Sequence, residues 1–386
     1  MTCWKSVRAV DFIEFNPHLN LKKGTIATKV AMDKLKPFTK KIPETEKAEF
    51  NGGAKFCNGD TLMARITPCL ENGKTAFIDF LDDGEVAFGS TEFIVMRAKA
   101  GISDPQFVYY TAINPTFRNV AIKSMVGSSG RQRVQQSVLE ELELSVPDLD
   151  EQRRIGAFLA RLDEKIALNN RINDNLMQQA VTIFKSWFVE YSPFDGIEPK
   201  EWETVNLEKI TSLISRGIAP KYSDNSDQIV INQKCIRNHM IDLSQARTHT
   251  PKVINEKWLR FGDLLINSTG DGTLGRAAQV WFQPQNITVD SHVTVVRPAK
   301  ENLIFYIGLW GVLHEREIES LHTGSTGQTE LPKERVKALE LHLPDNGTLD
   351  RFNTLIAPMA AAIVSKQNEN NKLATLRDAL LPKLMS

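Results

Sequence analysis

The sequence predicts an α+β protein built as two repeated α+β domains, each followed by a long helix, with the two helices forming an antiparallel coiled coil. Three observations carry that expectation: self-similarity at a shift of 197 positions, short apolar runs separated by turn residues within each repeat, and two matched heptad stripes.

The repeat comes first because it fixes the domain organisation. FVYY at 107–110 meets IFYI at 304–307, GSSG at 127–130 meets GSTG at 324–327, and LELSVP at 142–147 meets LELHLP at 339–344. The same shift carries Ile166, Asn173 and Leu176 onto Ile363, Asn370 and Leu373. Upstream, Gly59 and Asp60 face Gly262 and Asp263, Gly73 and Lys74 face Gly275 and Arg276, and WKSV at 4–7 faces WETV at 202–205. Small loop insertions account for the drift in shift. The expected organisation is a first domain over 1–148, a central long helix over 149–191, a second domain over 192–346 and a C-terminal long helix over 347–386.

Within the first domain TLMARI, KTAFIDF, EVAF and EFIVMR, and within the second DLLIN, AAQVWF and HVTVVR, are bounded by Gly, Asn and Asp. They read as short strands joined by tight turns. Asp104 followed by Pro105 opens a helix, and the second copy has its counterpart from about Asn302.

The end of each repeat has a different period. From 150 to 190 there is no Pro, and Ile155, Leu159, Leu162, Ile166, Asn169, Asn173, Leu176, Ala180, Ile183 and Trp187 alternate in steps of four and three. Their counterparts are Phe352, Ile356, Met359, Ile363, Lys366, Asn370, Leu373, Arg377, Leu380 and Leu384. Asp148 with Glu151 reads as a capping box, Tyr191-Ser192-Pro193 as a stop, and Pro358 as an irregularity that bends the second helix. Antiparallel closure of the stripes sets Asn173 with Asn370, or Asn169 with Lys366, as register-fixing polar pairs. The alternative is two separate amphipathic helices, each packed on its own domain.

Composition narrows the function classes. A balance of 47 Lys plus Arg against 47 Asp plus Glu excludes a uniformly basic nucleic-acid protein, so any DNA affinity must come from localised charge. Cys3, Cys57, Cys69 and Cys235 lack ligand spacing and read as reduced thiols of a cytoplasmic protein, and no apolar run is long enough for a membrane span or a leader.

Catalytic look-alikes dissolve on inspection. GDGTLG at 270–275 matches a dinucleotide fingerprint but precedes a strand, and Gly73-Lys74-Thr75 has Pro68 where a phosphate loop needs Gly. Pro147-Asp148 with Asp163, Glu164 and Lys165 matches a metal-nuclease pattern formally, yet reads as a cap and the solvated face of one helix. No histidine spacing suits zinc and no amino-methyltransferase motif is present, so neither catalytic nor metal residues are expected.

The span 105–139 has no Asp or Glu but holds Arg118, Lys123, Arg131 and Arg133. Its GSSGRQR turn offers Ser128, Ser129, Arg131 and Arg133 to phosphates or base edges, and the second copy offers Ser325, Thr326 and Gln328. A second loop pair offers Arg65 and Lys74 in copy one, and Ser268, Thr269 and Arg276 in copy two. For each loop, DNA contact stands beside a plain solvated turn. Lys22, Lys23, Lys29, Lys34, Lys36, Lys40 and Lys41 read as wet surface.

KFCNGDTLMARITPCLENGKTAF, GSSGRQRV, LSVPDLDEQRRIGAFLARLDEKI and LATLRDALLPKLMS, in this order and over nearly the whole chain, resemble the specificity subunits of type I restriction-modification systems. The resemblance implies two target-recognition domains, each reading half of a split double-stranded DNA site, around a central antiparallel helical pair. It also implies a non-catalytic chain that docks two adenine-N6 methyltransferase subunits and the endonuclease subunits. The chain itself then needs no cofactor, and S-adenosylmethionine, ATP and Mg belong to those partners. Candidate partner-binding residues on the helices are Ile155, Leu159, Leu162, Ile166, Asn173, Leu176, Ile356, Ile363, Asn370 and Leu373. The rival reading is a coiled-coil interaction scaffold without DNA specificity.

Overall fold

The structure, a computed structural model, describes residues 4–270, 272–324 and 329–385. The chain divides into two compact units, Met1–Asn169 with Glu369–Ser386, and Asn170–Asn368.

Unit one runs through β1 (Lys5–Arg8), α1 (Ala9–Phe12), β2 (Ile13–Phe15), β3 (Ile26–Val30), β4 (Glu46–Glu49), β5 (Ala54–Phe56), β6 (Thr61–Ala64), β7 (Thr75–Phe77), β8 (Ala87–Gly89) and β9 (Phe93–Ala98). It continues with α2 (Pro105–Ile113), α3 (Pro115–Lys123), α4 (Gln136–Glu140), β10 (Glu143–Val146) and the start of α5 (Leu149–Phe188). An antiparallel sheet has the order β2-β9-β6-β7, and a second sheet, β4-β3-β8-β5, contains the parallel pair β3 and β8. β1 pairs with β10, tying the start of the domain to the strand before α5.

Unit two has β11 (Glu203–Asn206), β12 (Thr211–Arg216), β13 (Ile229–Ile231), β14 (Ile236–Arg237), β15 (Met240–Ile241), β16 (Arg247–Thr248), β17 (Leu264–Asn267), β18 (Ala277–Gln279), β19 (Ile287–Val289) and β20 (Val293–Pro298). α6 (Ile304–Leu313), α7 (Glu315–Ser320), α8 (Lys333–Lys337), β21 (Glu340–Leu343) and α9 (Asn346–Leu384) follow. Its sheet β12-β20-β17-β18 and its pair β11-β21 repeat the order of unit one, while its second sheet, β16-β13-β19, keeps the parallel pair but has three strands, and β14 pairs with β15. Register repeats as well: Leu62 lies opposite Val95 and Leu265 opposite Val295.

The Gly-Asp landmarks have a structural cause. Gly59 and Gly262 take φ of 88° and 89°, a left-handed turn that glycine adopts without steric cost. Each turn aims the next carboxylate inward: Asp60 accepts from the Cys57 amide at 2.8 Å and from Arg97 at 2.7 Å, and Asp263 from the Arg260 amide at 2.8 Å and Arg297 at 2.7 Å. Both aspartates are buried, so each copy has an internal ion pair whose disruption strands a charge.

In α2 the Asp104 side chain accepts from the Phe107 amide at 3.0 Å with Pro105 in the first turn, as the sequence predicts. The helix buries Phe107, Tyr109 and Tyr110, with Phe12 and Phe77 edge-on to two of those rings. In the second copy a single 3-10 turn over Glu301–Leu303 precedes α6, which starts at Ile304. The strand before the GDGTLG match, β17, pairs antiparallel with the strand that follows it, β18, so no helix opens there as a dinucleotide fingerprint requires; Asp271 lies outside the described residues.

α5 is capped by Asp148, which accepts from the Glu151 amide at 2.9 Å, while Glu151 turns to Arg154 and leaves the reciprocal half of the box unmade. α9 is capped by Asp345 through the Thr348 amide at 3.0 Å and runs through Pro358. Along α5 the heptad holds at first, with Ile155 and Leu159 buried in the unit-one core. Beyond Asn173 the buried set becomes Met177, Ala180, Phe184 and Phe188, while Leu176, Ile183 and Trp187 are half-buried. A straight helix slips about 20° per heptad against a 3.5-residue repeat, which moves the packed face by one position over such a length. No helix among the described residues is long and apolar enough to cross a membrane.

Candidate nucleic-acid interface

In unit one the two candidate loops, some sixty residues apart in sequence, meet. Arg133 forms antiparallel bridges with both Val126 and Ile66, the Thr67 amide donates to Gln132 at 3.0 Å, and the Val134 amide donates to Arg65 at 2.8 Å. A third segment joins them: the Arg65 amide donates to the Glu92 carbonyl at 2.9 Å, and the Glu92 carboxylate takes the Arg133 guanidinium at 2.6 Å. Ser128, Ser129 and Arg131 form the exposed tip of the turn.

Other cations of this region brace the loops. Lys74 donates to the Met32 carbonyl at 2.9 Å, and Arg65 reaches the Val134 carbonyl at 3.3 Å. Arg118 donates to the Leu70 and Glu71 carbonyls at 3.2 and 2.7 Å and lies over the exposed Phe38 ring. The local positive charge expected from composition is therefore partly spent inside the domain.

Unit two repeats the crossing with different chemistry. Glu330 forms the bridges to Thr323 and Thr269 that Arg133 forms in unit one, and it pairs with Arg216 at 2.6 Å. Thr269 shares a 2.7 Å hydrogen bond with His292. Ser268 corrects the sequence expectation: it is fully buried, and its hydroxyl bonds Thr294 at 2.5 Å, because it directly follows the fully buried strand β17. Arg276 donates to the Gly272 carbonyl at 2.7 Å within its own loop. Ser325, Thr326 and Gln328 lie outside the described residues. An arginine that sequence reasoning missed, Arg247, stacks 3.7 Å from the ring centroid of exposed Tyr222.

Two further corrections concern charges read as solvated. Lys40 is buried over the rings of Phe77, Tyr109 and Tyr110, bonds Gln106 and Tyr110, and burial pushes it down to about 8. Asp163 is buried rather than on a wet helix face: it accepts from the Tyr110 hydroxyl at 2.5 Å and pairs with Arg377 at 2.6 Å. Burial beside Asp163 pushes Tyr110 up. Lys165 pairs with Glu369 at 3.6 Å, so the nuclease-like pattern is dispersed into structural roles. Among the described residues no group of His, Cys, Asp or Glu is placed to hold a metal ion.

On the helices, Asn169 donates to Asn370 and to Glu369, both at 2.9 Å. Ile155, Leu159, Ile356 and Ile363 are buried in the cores, whereas Leu162, Ile166, Leu176 and Leu373 are half-buried and Asn173 is buried. The four buried aliphatics leave no surface for a partner, which corrects their assignment as docking residues.

The sequence matches the type I restriction modification DNA specificity domain over residues 47–178 and again over 199–357. It is 26% identical over 304 residues to the type I restriction enzyme MjaIX specificity subunit of Methanocaldococcus jannaschii, spanning 72% of this chain and 68% of that one. It is 22% identical over 400 residues to the HindI specificity subunit of Haemophilus influenzae, spanning 85% and 86%. The fold is similar to a crystal structure of a type I restriction-modification S subunit from M. genitalium, with a TM-score of 0.55 at 13% identity over 100% of this chain and 96% of that one.

Proposed function

The chain belongs to the family of type I restriction-modification DNA specificity proteins, and from that premise we propose that it reads a two-part double-stranded DNA target, one half with each α+β unit. It carries no chemistry of its own and directs adenine-N6 methyltransferase and endonuclease subunits, which bring S-adenosylmethionine, ATP and Mg. The observation that carries the reading is the loop crossing present in both units with inverted charge, Arg133 with Glu92 in one and Glu330 with Arg216 in the other. One scaffold thereby presents two different hydrogen-bonding edges, as two unlike half-sites require.

The domains of this reading are 1–148 and 192–346, hung from an antiparallel coiled coil of α5 and α9. Supporting the coil, Asp163 meets Arg377 and Asn169 meets Asn370, so partners on α9 fall as positions on α5 rise. Partner subunits dock on the outer helix faces, where Phe158, Leu168, Leu355 and Leu376 are exposed. The test is a competition assay over randomised half-sites with Arg131→Ala/Arg133→Ala, and separately with Ser325→Ala/Thr326→Ala/Gln328→Ala. Each set should alter selection in one half only. Relaxation of both halves by one set would refute the assignment.

A further inference from the structure

The Glu92 carboxylate sits on a surface that is proposed to face a polyanion, where an acidic group costs affinity unless it has a specific task. Its geometry supplies one. Arg133 Nε lies 2.9 and 3.0 Å from the two Glu92 oxygens, and Nη2 lies 2.6 Å from Oε1, so the carboxylate grips the side of the guanidinium. The end of the fork, Nη1 with the outer hydrogen of Nη2, is left facing outward, with only a 3.5 Å contact from Nη1 to the Arg131 carbonyl. The Arg133 side chain is 46% exposed and Glu92 23%. The backbone beneath is equally fixed, since Arg133 exchanges both amide bonds with Val126, at 2.9 and 3.0 Å, and the Glu92 carbonyl anchors Arg65.

We infer that Glu92 is a positioning residue that holds Arg133 end-on for the O6 and N7 acceptors of one guanine in the major groove. The inference rests on the DNA-reading function proposed above. A guanidinium gripped side-on keeps two parallel donors at the spacing of those acceptors, and guanine alone among the bases offers two acceptors there. A phosphate anchor has no such need, because a phosphate accepts from any direction and is repelled by a neighbouring carboxylate. The sequence holds no sign of the arrangement, since Glu92 lies 41 positions from Arg133. In unit two the bridge residue is the carboxylate itself, Glu330, so this reader belongs to one half-site only.

The test uses the full chain co-expressed with methyltransferase subunits and a DNA pool randomised over the site. Wild type should select guanine at one position of one half-site. Glu92→Gln, which keeps shape and removes charge, should reduce that preference roughly ten- to a hundredfold, the discrimination of a bidentate pair, while binding to unrelated DNA stays equal or rises. Arg133→Lys should lose the same preference and leave every other position unchanged. Uniform weakening across all sequences with a shallower salt dependence in both variants would identify a phosphate anchor and overturn the inference. Unaltered guanine preference in Glu92→Gln would equally overturn it. If wild type selects no sequence at all, the DNA-reading function fails with it, a result distinct from either variant outcome.

Discussion

Truncating Arg377 probes the contact that joins the two long helices within unit one. Its guanidinium lies 2.6 Å from Asp163, and the two side chains are 12% and 9% exposed. In Arg377→Ala the Asp163 carboxylate keeps one short donor, the Tyr110 hydroxyl, and loses the cation that bonds it directly, with Lys40 left as the nearby charge. Removing one partner of a buried pair costs about 3–5 kcal/mol, and the residual exposure on both sides places this case near 3 kcal/mol. In the double variant Asp163→Asn/Arg377→Ala no charge is stranded, so it should be less destabilised than the sum of the two single variants by more than about 1 kcal/mol. A chain of two units does not unfold in one step, so the readout is hydrogen exchange of unit-one amides, including those of 371–384, against denaturant. A cost below about 0.5 kcal/mol for Arg377→Ala, or strict additivity in the double variant, would refute the reasoning.

Lys40 makes unit-one stability depend on pH. Its proton is held less tightly in the folded chain, at about 8 against an ordinary 10.5, so the unfolded chain binds more protons between those values and stability rises with pH above about 8. Lys40→Met should flatten that rise between pH 7 and 9.5 in denaturation midpoints, below the range where tyrosines of the unfolded chain ionise. Phe188 packs 4.9 Å from Tyr306 and 4.8 Å from Phe352, so Phe188→Ala should cost about 3–5 kcal/mol in unit two and leave unit-one exchange unchanged. Four residues inserted after Asn169 add about 6 Å of helix, close to two base pairs of about 3.4 Å, and should lengthen the gap between half-sites while preserving both.

What the sequence made legible was local or repeated. Asp104-Pro105 announces its helix because the cap and the ring act within one turn, and the duplicated Gly-Asp pairs announce a shared scaffold. The partner of each aspartate did not show, because Arg97 and Arg297 arrive from strands more than thirty residues away. Lys40 looked like one of a run of surface lysines, and only the rings of Phe77, Tyr109 and Tyr110 brought around it by the fold make it buried. Ser268 looked like a loop hydroxyl because it follows Asn267 at the end of the LLIN strand, and that strand is buried at every position, so its sequence has no inside and outside to read. The heptad was legible as far as Asn173, beyond which the 3.6-residue helix and the aromatic cluster around Phe188 shift the packed face. At the interface, composition located the basic segment but not the carboxylates that neutralise or orient it.

The most direct test of a two-part DNA reader is a map of N6-methyladenine across the host genome, with this gene present and with it deleted. The expected result is one bipartite motif, two half-sites separated by a fixed gap, that is methylated only when the gene is present. A single contiguous motif, or a bipartite motif whose methylation survives the deletion, would contradict it.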